Sequence, residues 1–496
     1  MKPTFTRPIV RGSRGVVACG HPLAASAALR VFAAGGGAVD AAIAAAAALS
    51  VVLPDACGLG GDAMALVRNS SGKVRAYNGS GAAPRELGLP IPHEGGGSVA
   101  VPGAVAAWGE LHQHHGVTGL KEILTPAIEL AENGFAIGEG LVKLLKVHQC
   151  RLARWAPQWR LNHSLVAGNL IRQPELAYAL KCIASEGPQT FYEGKLADNV
   201  VAAVQRAGGT MMRSDLEKHM TSIGEPVQTN IVDTRLFVQP PVSQAILVPM
   251  VLHGLEAARS DAASRTHAAI ELVEAAFALR NEISDANQIP RLLAAKLEFN
   301  PERASRRGGP RGYSHTAAVT TADKEGTVVS MLVSVFDDFG SAVLVPDGGF
   351  VLNNRLDGFL GQSGFPNSPR GGGLPVHTLS PVIVQQDDCA FALATPGADA
   401  QVQILIQLLD ALIRKEASVA EVIARPRWAS IDRELALEAT FPANLATDLE
   451  ARGHHLSWQP LGAPLFGAAC VAGLDRESGT VYATTDPRRE TWAVSI

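Results

Sequence analysis

The chain has 496 residues, of which 47% are hydrophobic and 18% charged, and its formal net charge is −4. That balance excludes a disordered polymer, and the scattered basic residues leave no electrostatic footprint for nucleic acid. The longest apolar run, residues 41–53, is too short to cross a bilayer, so no membrane partner is expected.

Length alone allows roughly three domains or one large layered α/β domain. The cysteines, Cys19, Cys57, Cys150, Cys182, Cys389 and Cys470, are widely spaced and contain no Cys-x-x-Cys pair. They predict neither a zinc or iron-sulfur centre nor a disulfide framework. Basic residues at the N-terminus are not followed by an apolar segment, which predicts a chain without a secretory signal, in a reducing cytoplasm.

In chain order, residues 21–37 read as a helix with Pro22 in its first turn and glycines at its end, followed by an alanine-rich helix over 38–53. A glycine turn, Gly58 to Gly61, then leads into a hairpin of "MALVR" and "KVRAY" joined through Ser-Ser-Gly. Between about residues 100 and 300 the pattern is mostly amphipathic helix. After 300 the period changes: 316–323, 327–336, 341–345 and 349–354 read as β segments divided by "DKEG" and "PDGG" turns. A Gly/Pro-rich loop over 361–377 precedes a second hairpin, 379–386 with 389–395, and a long helix opened by "PGADA". Helices, then meandering strands, then helices again predict an α+β layered sandwich with antiparallel sheets.

Two segments carry chemistry. The Arg/Gly-rich stretch 304–313 stands just before Thr316, which opens a strand. Cleavage of the His315–Thr316 bond would leave an α-amine with a pKa of about 7.7–8.0, able to act as general base for the hydroxyl of the same residue. The plainer alternative is a loop that ends where a strand begins. At 394–400, "ATPGADA", a strand turning into a helix presents the backbone N–H groups of Gly397 and Ala398, which could serve as an oxyanion hole. Here the alternative is an ordinary strand-to-helix turn.

The glycine clusters at 35–37 and 58–61 fit no phosphate-cradling loop and read as helix caps and close backbone packing. There is no Gly-x-Ser-x-Gly elbow and no His-Glu-x-x-His spacing, and His112, His114 and His115 read as a helix-end cap. No metal and no organic cofactor is expected.

Taken together, residues 21–63, 101–116 and 315–330 resemble the signatures of the γ-glutamyltransferase family of N-terminal-nucleophile hydrolases, and the likeness extends over nearly the whole chain. The resemblance implies a four-layer αββα sandwich built as one domain from a long segment, 1–315, and a short one, 316–496. Thr316 would be both the self-cleavage residue and the nucleophile of the mature enzyme. Ser334 would bond to it and assist it, and Gly397 and Ala398 would stabilise the tetrahedral oxyanion. The two chains of one precursor would act together, alone or as a dimer.

The departures from the family pattern bear on substrate. Where γ-glutamyl enzymes clamp a zwitterionic donor with arginine, asparagine, glutamine and aspartate, this chain has Ser80, Phe336, Arg355 and Gly358. Losing several charged hydrogen bonds, each worth about 1.5–3 kcal/mol, disfavours a γ-glutamyl donor, and Arg355 would repel its ammonium. "NGSG" at 78–81, Asn354-Arg355 and His377-Thr378 resemble the branch that includes oxamate amidohydrolase and cephalosporin-acylase-like proteins. There Arg355 would hold a substrate carboxylate in a bidentate fork, with His377 and Thr378 lining the pocket. The alternative for Arg355 is an ion pair with Asp337, Asp338 or Asp357. The expected substrate is a small anionic, oxamate-like amide. A γ-glutamyl donor such as glutathione is the second reading, and an uncleaved binding protein the third.

Overall fold

Three strands, Asp62–Arg68, Ala317–Asp323 and Val328–Ser334, are buried at every residue. A strand without a solvent face needs cover on both sides, which forces a layered architecture. The computed structural model describes residues 5–161, 165–283, 286–309, 316–386, 389–475 and 477–496. Among them lie two seven-stranded antiparallel sheets packed face to face. The first runs Trp492–Ser495, Gly15–Cys19, Ala317–Asp323, Val328–Ser334, Asp62–Arg68, Val74–Gly79, Ser222–Gly224. The second runs Val10–Gly12, Thr480–Thr485, Cys470–Asp475, Cys389–Ala394, Val382–Gln386, Thr234–Val238, Val227–Ile231.

Side chains such as Met64, Leu66, Ala318, Leu332, Ile383, Ala392 and Ala472 fill the space between the sheets. On the outer face of the first sheet, helices Pro22–Ala33 and Ala38–Val52 pack over Val17, Val319 and Val329. Helix Ala38–Val52 is buried all round, and its run of alanines keeps it thin enough to sit between that sheet and further helices. On the other side, helices Leu247–Glu256, Ala262–Phe277 and Gln401–Ile413 cover Leu236, Val384 and Leu393. The result is the expected α+β, four-layer αββα sandwich. Both sheets mix strands from before and after Thr316.

Most predicted elements are present. The hairpin at 62–79 pairs Val67 with Arg75, and the second pairs Val384 with Phe391. Two readings need correction. The segments 341–345 and 349–354 are reduced to a separate two-residue ribbon, Leu344–Val345 with Phe350–Val351, because turns bound them too tightly to reach either sheet. Within the stretch read as mostly helical, Val227–Ile231 and Thr234–Val238 form a hairpin at a sheet edge, where one half-exposed face lets polar residues alternate with apolar ones.

Candidate active site

Thr316 immediately precedes strand Ala317–Asp323, whose neighbour ends at Ser334. The antiparallel register brings the two hydroxyls together: Thr316 Oγ1 donates to Ser334 Oγ at 3.3 Å. Ser334 Oγ is held in place by the N–H of Phe336 at 3.0 Å. Both residues are buried, and Thr316 borders a cavity of about 500 Å³ that also touches His21, Asp55, Asp338, Pro396 and Arg489. His315 lies outside the described residues.

Pro396 brings the strand-to-helix turn to the same cavity. Strand Cys389–Ala394 ends, Gly397 takes φ 137° and Ala398 φ 49°, and a 3₁₀ turn, Ala398–Ala400, feeds helix Gln401–Ile413. Neither the Gly397 nor the Ala398 N–H donates to another backbone group among the described residues. Ala398 is a non-glycine residue in the left-handed region, a cost of about 1–3 kcal/mol that surrounding structure must offset. The offset is visible behind the turn. Gln244 Nε2 donates to the carbonyls of Ala398 and Asp399 at 3.4 and 3.3 Å. Arg280 Nε donates to Gln244 Oε1 at 3.0 Å, and its Nη2 lies 2.9 Å from Asp399 Oδ1.

Arg355 is fully buried, and its ion-pair partner is none of the three aspartates suggested by sequence proximity. Its Nε donates to Asp62 Oδ2 at 2.8 Å, while the guanidinium carbon stands 4.5 Å from the centre of the Phe336 ring. Nη1 and Nη2 have no hydrogen-bond partner among the described residues. Asp337 and Asp357 face His93 instead, at 3.4 and 3.1 Å, and Asp338 faces His148 at 3.0 Å.

Asp62 is the residue sequence reasoning missed. It begins its strand directly opposite Ser334, and its Oδ2 also meets His377 Nε2 at 3.1 Å. His377 Nδ1 accepts the N–H of Leu379, so the neutral ring carries its hydrogen on Nε2 and donates it to Asp62. Burial, seconded by Arg355, pushes His377 down to about 4. Burial works to raise the Asp62 carboxyl, but the His377 hydrogen bond and the Arg355 charge outweigh it and hold the group below its ordinary value. Thr378 is buried beside His377, and its carbonyl accepts from Ser380 Oγ at 3.0 Å. Ser80 Oγ donates to Asn78 Oδ1 at 2.7 Å.

Phe336 and Gly358 line a second cavity of about 690 Å³, together with Asp337, Asp338, Asp357, Arg280 and Asp399. Asp338 borders both cavities. Arg355 is absent from the lining of the larger one and stands behind the Phe336 ring, and the wall carries both carboxylates and the cations Arg151, Arg280 and Arg307.

The gamma-glutamyltranspeptidase family model matches residues 24–496. Oxamate amidohydrolase proenzyme of Klebsiella pneumoniae is 29% identical, over 96% of this chain and 97% of its own. Glutathione hydrolase-like YwrD proenzyme of Bacillus subtilis is likewise 29% identical, over 98% of this chain and 99% of its own. Among solved structures, cephalosporin acylase from Bacillus halodurans superposes with a TM-score of 0.89 at 28% identity, covering 99% of this chain and 97% of the other.

Proposed function

The chain belongs to the gamma-glutamyltranspeptidase family, whose enzymes hydrolyse or transfer amide bonds, and on that premise we propose that it is a self-cleaving amidohydrolase with Thr316 as nucleophile. The observation that carries the proposal is the 3.3 Å contact between Thr316 Oγ1 and Ser334 Oγ at the wall of a cavity that the Pro396 turn also borders. In the precursor, the Thr316 hydroxyl attacks the carbonyl carbon of His315, the peptide C–N bond breaks in an N-to-O acyl shift, and water hydrolyses the resulting ester. This frees the α-amine of Thr316. In the mature enzyme that amine takes the hydroxyl proton as Oγ1 adds to a substrate amide carbonyl. The N–H groups of Gly397 and Ala398 stabilise the oxyanion, the amine or ammonia departs with the proton, and water releases the acyl group.

For substrate, we favour a small anionic amide of the oxamate kind. Support comes from Nη1 and Nη2 of Arg355, which have no hydrogen-bond partner among the described residues: once the Phe336 ring swings aside, a carboxylate accepting from both would complete a guanidinium that Asp62 engages only at Nε. His377 and Thr378 belong to the same pocket in this reading. A second reading, a γ-glutamyl donor such as glutathione, is favoured by Asp338, a carboxylate on the wall of the cavity that Thr316 borders, where it could meet the donor's ammonium. We assign maturation to a reducing cytoplasm, in keeping with the free cysteines.

The deciding experiment is intact mass spectrometry of the wild type beside Thr316→Ala after incubation at neutral pH. Two wild-type chains, the smaller beginning at Thr316, and an uncut, inactive variant are expected. An uncut wild type would remove the free amine and leave a binding protein. Ammonia release from oxamate against glutamate release from glutathione then separates the two substrate readings.

A further inference from the structure

One buried cluster of ligating side chains has no part in that chemistry. His267 and Glu271 stand one turn apart on helix Ala262–Phe277, and His454 follows helix Ala443–Ala451. Their relative exposures are 0%, 0% and 4%, and one ligand atom of each lies within 4.8 Å of the others.

The surroundings orient all three. His267 Nε2 lies 2.8 Å from the carbonyl oxygen of Asn300, which only accepts, so Nε2 carries the hydrogen of the neutral ring. Nδ1 then turns a lone pair toward His454 Nε2, 2.8 Å away. Glu271 is held by Ser305, whose N–H reaches both carboxylate oxygens at 3.0 and 3.1 Å and whose hydroxyl donates to one of them. An imidazole steered by a backbone carbonyl and a carboxylate steered by a hydroxyl are the outer contacts that metal ligands carry.

We propose that His267, Glu271 and His454 form a binding site for a divalent transition-metal ion of the zinc class. Two histidines and a carboxylate are a ligand set that suits zinc. Nitrogens about 2.0–2.1 Å from a tetrahedral ion lie roughly 3.3 Å apart, so the two rings need part by only about 0.5 Å, and the hydrogen that His454 Nε2 shares with His267 passes by way of solvent to His454 Nδ1. Without the ion, that proton is what bridges the rings. Two cations, Arg452 and Arg306, stand close enough to act on His454. The Arg452 cation is offset by Asp448, 2.7 Å away.

The ligands straddle the proposed cut: His267 and Glu271 precede Thr316 and His454 follows it. Resting on the self-cleavage reading, the ion ties the two mature chains together and pins the segment from Asn300 to Ser305 near the new end of the longer one. Metal binding itself does not depend on that reading.

The test uses full-length protein stripped with a chelator, given one equivalent of zinc sulfate and desalted before elemental analysis. One retained zinc per 496-residue molecule, cut or uncut, is expected in the wild type and in Thr316→Ala alike, with cobalt giving the visible spectrum of a four-coordinate site. His454→Gln and Glu271→Gln should lose retention, and Ser305→Ala, a mild change at an exposed position, should weaken binding about 10-fold to 100-fold. His93→Gln, at the separate His93, Asp337 and Asp357 cluster, should change nothing. Zinc that washes out of the wild type overturns the site, as does undiminished binding in Ser305→Ala and the two ligand variants, or loss in His93→Gln. If zinc is retained but the wild type is never cut, the site stands and the tie between chains falls.

Discussion

Asp62 bears the main electrostatic burden at the candidate site, since it is the acidic partner of both Arg355 and His377 in a region without solvent. Breaking a buried pair from one side leaves an uncompensated charge, which costs about 3–5 kcal/mol. Asp62→Asn is therefore expected to lower the unfolding free energy measured by urea titration by that order, and Asp62→Asn combined with Arg355→Met to recover much of the loss. A double variant as unstable as the single one would show that the pair is not the source of the effect. Thr316 and the Pro396 turn could be singled out as candidates from local motifs because each is defined by a strand end, whereas Ser334 was reached only through the resemblance to a family. The Asp62–Arg355 pair could not: 293 residues separate its members, and three aspartates nearer in sequence were equally acceptable chemically. Arg355 also illustrates how a sequence position misleads, because the residue that occupies an expected pocket site sits behind Phe336 rather than in the pocket wall.

At the scale of elements, the turn at Gly58–Gly61 holds the end of strand Val328–Ser334 by contact rather than by hydrogen-bonded phosphate chemistry. A Cβ on Gly61 would come within 2.3 Å of the Ser334 carbonyl oxygen, and one on Gly60 within 2.2 Å of that of Val351, whereas Gly58 has open space around it. Gly61→Ala should therefore displace Ser334, slow the appearance of the smaller chain on a denaturing gel and lower the melting temperature. Gly58→Ala should do neither. Equal behaviour of the two variants would mean that the close approach at Gly61 does not position the hydroxyl pair. The sequence supports close packing here because glycine clusters of this spacing lack the helix and lysine of a phosphate loop. Which backbone each glycine admits depends on strands that join only in the folded sheet.

Across the whole molecule, burial pushes His21, His219, His377 and His454 each down to about 4 from an ordinary 6.5. The unfolded chain then binds more protons than the folded one between those values, so stability is full above about pH 6.5 and falls as pH drops toward 4. Melting temperatures measured at intervals from pH 8 to 4 should hold level above 6.5 and decline below it. A flat profile through that window would show that these rings are not held neutral by the fold. Activity follows a different group: if the Thr316 amine is the base, rate should rise with pH through about 7.7–8.0.

By itself the sequence determined most elements and the layered class, because hydrophobic period and turn residues are written over a few consecutive positions, while the roles expected of Thr316 and Ser334 came from the resemblance to a family. It placed the helices Pro22–Ala33, Ala38–Val52 and Gln401–Ile413 and both main hairpins, yet missed the edge hairpin at Val227–Val238, whose half-exposed pattern carries little apolar signal. Only the tertiary structure decided that Asp62 pairs with Arg355, that Gln244 and Arg280 brace the turn behind Ala398, and that His267, Glu271 and His454 converge. The reason is physical: these are contacts between buried polar groups on different layers, and their partners are selected by which strands and helices pack together, information that no local stretch of chain contains.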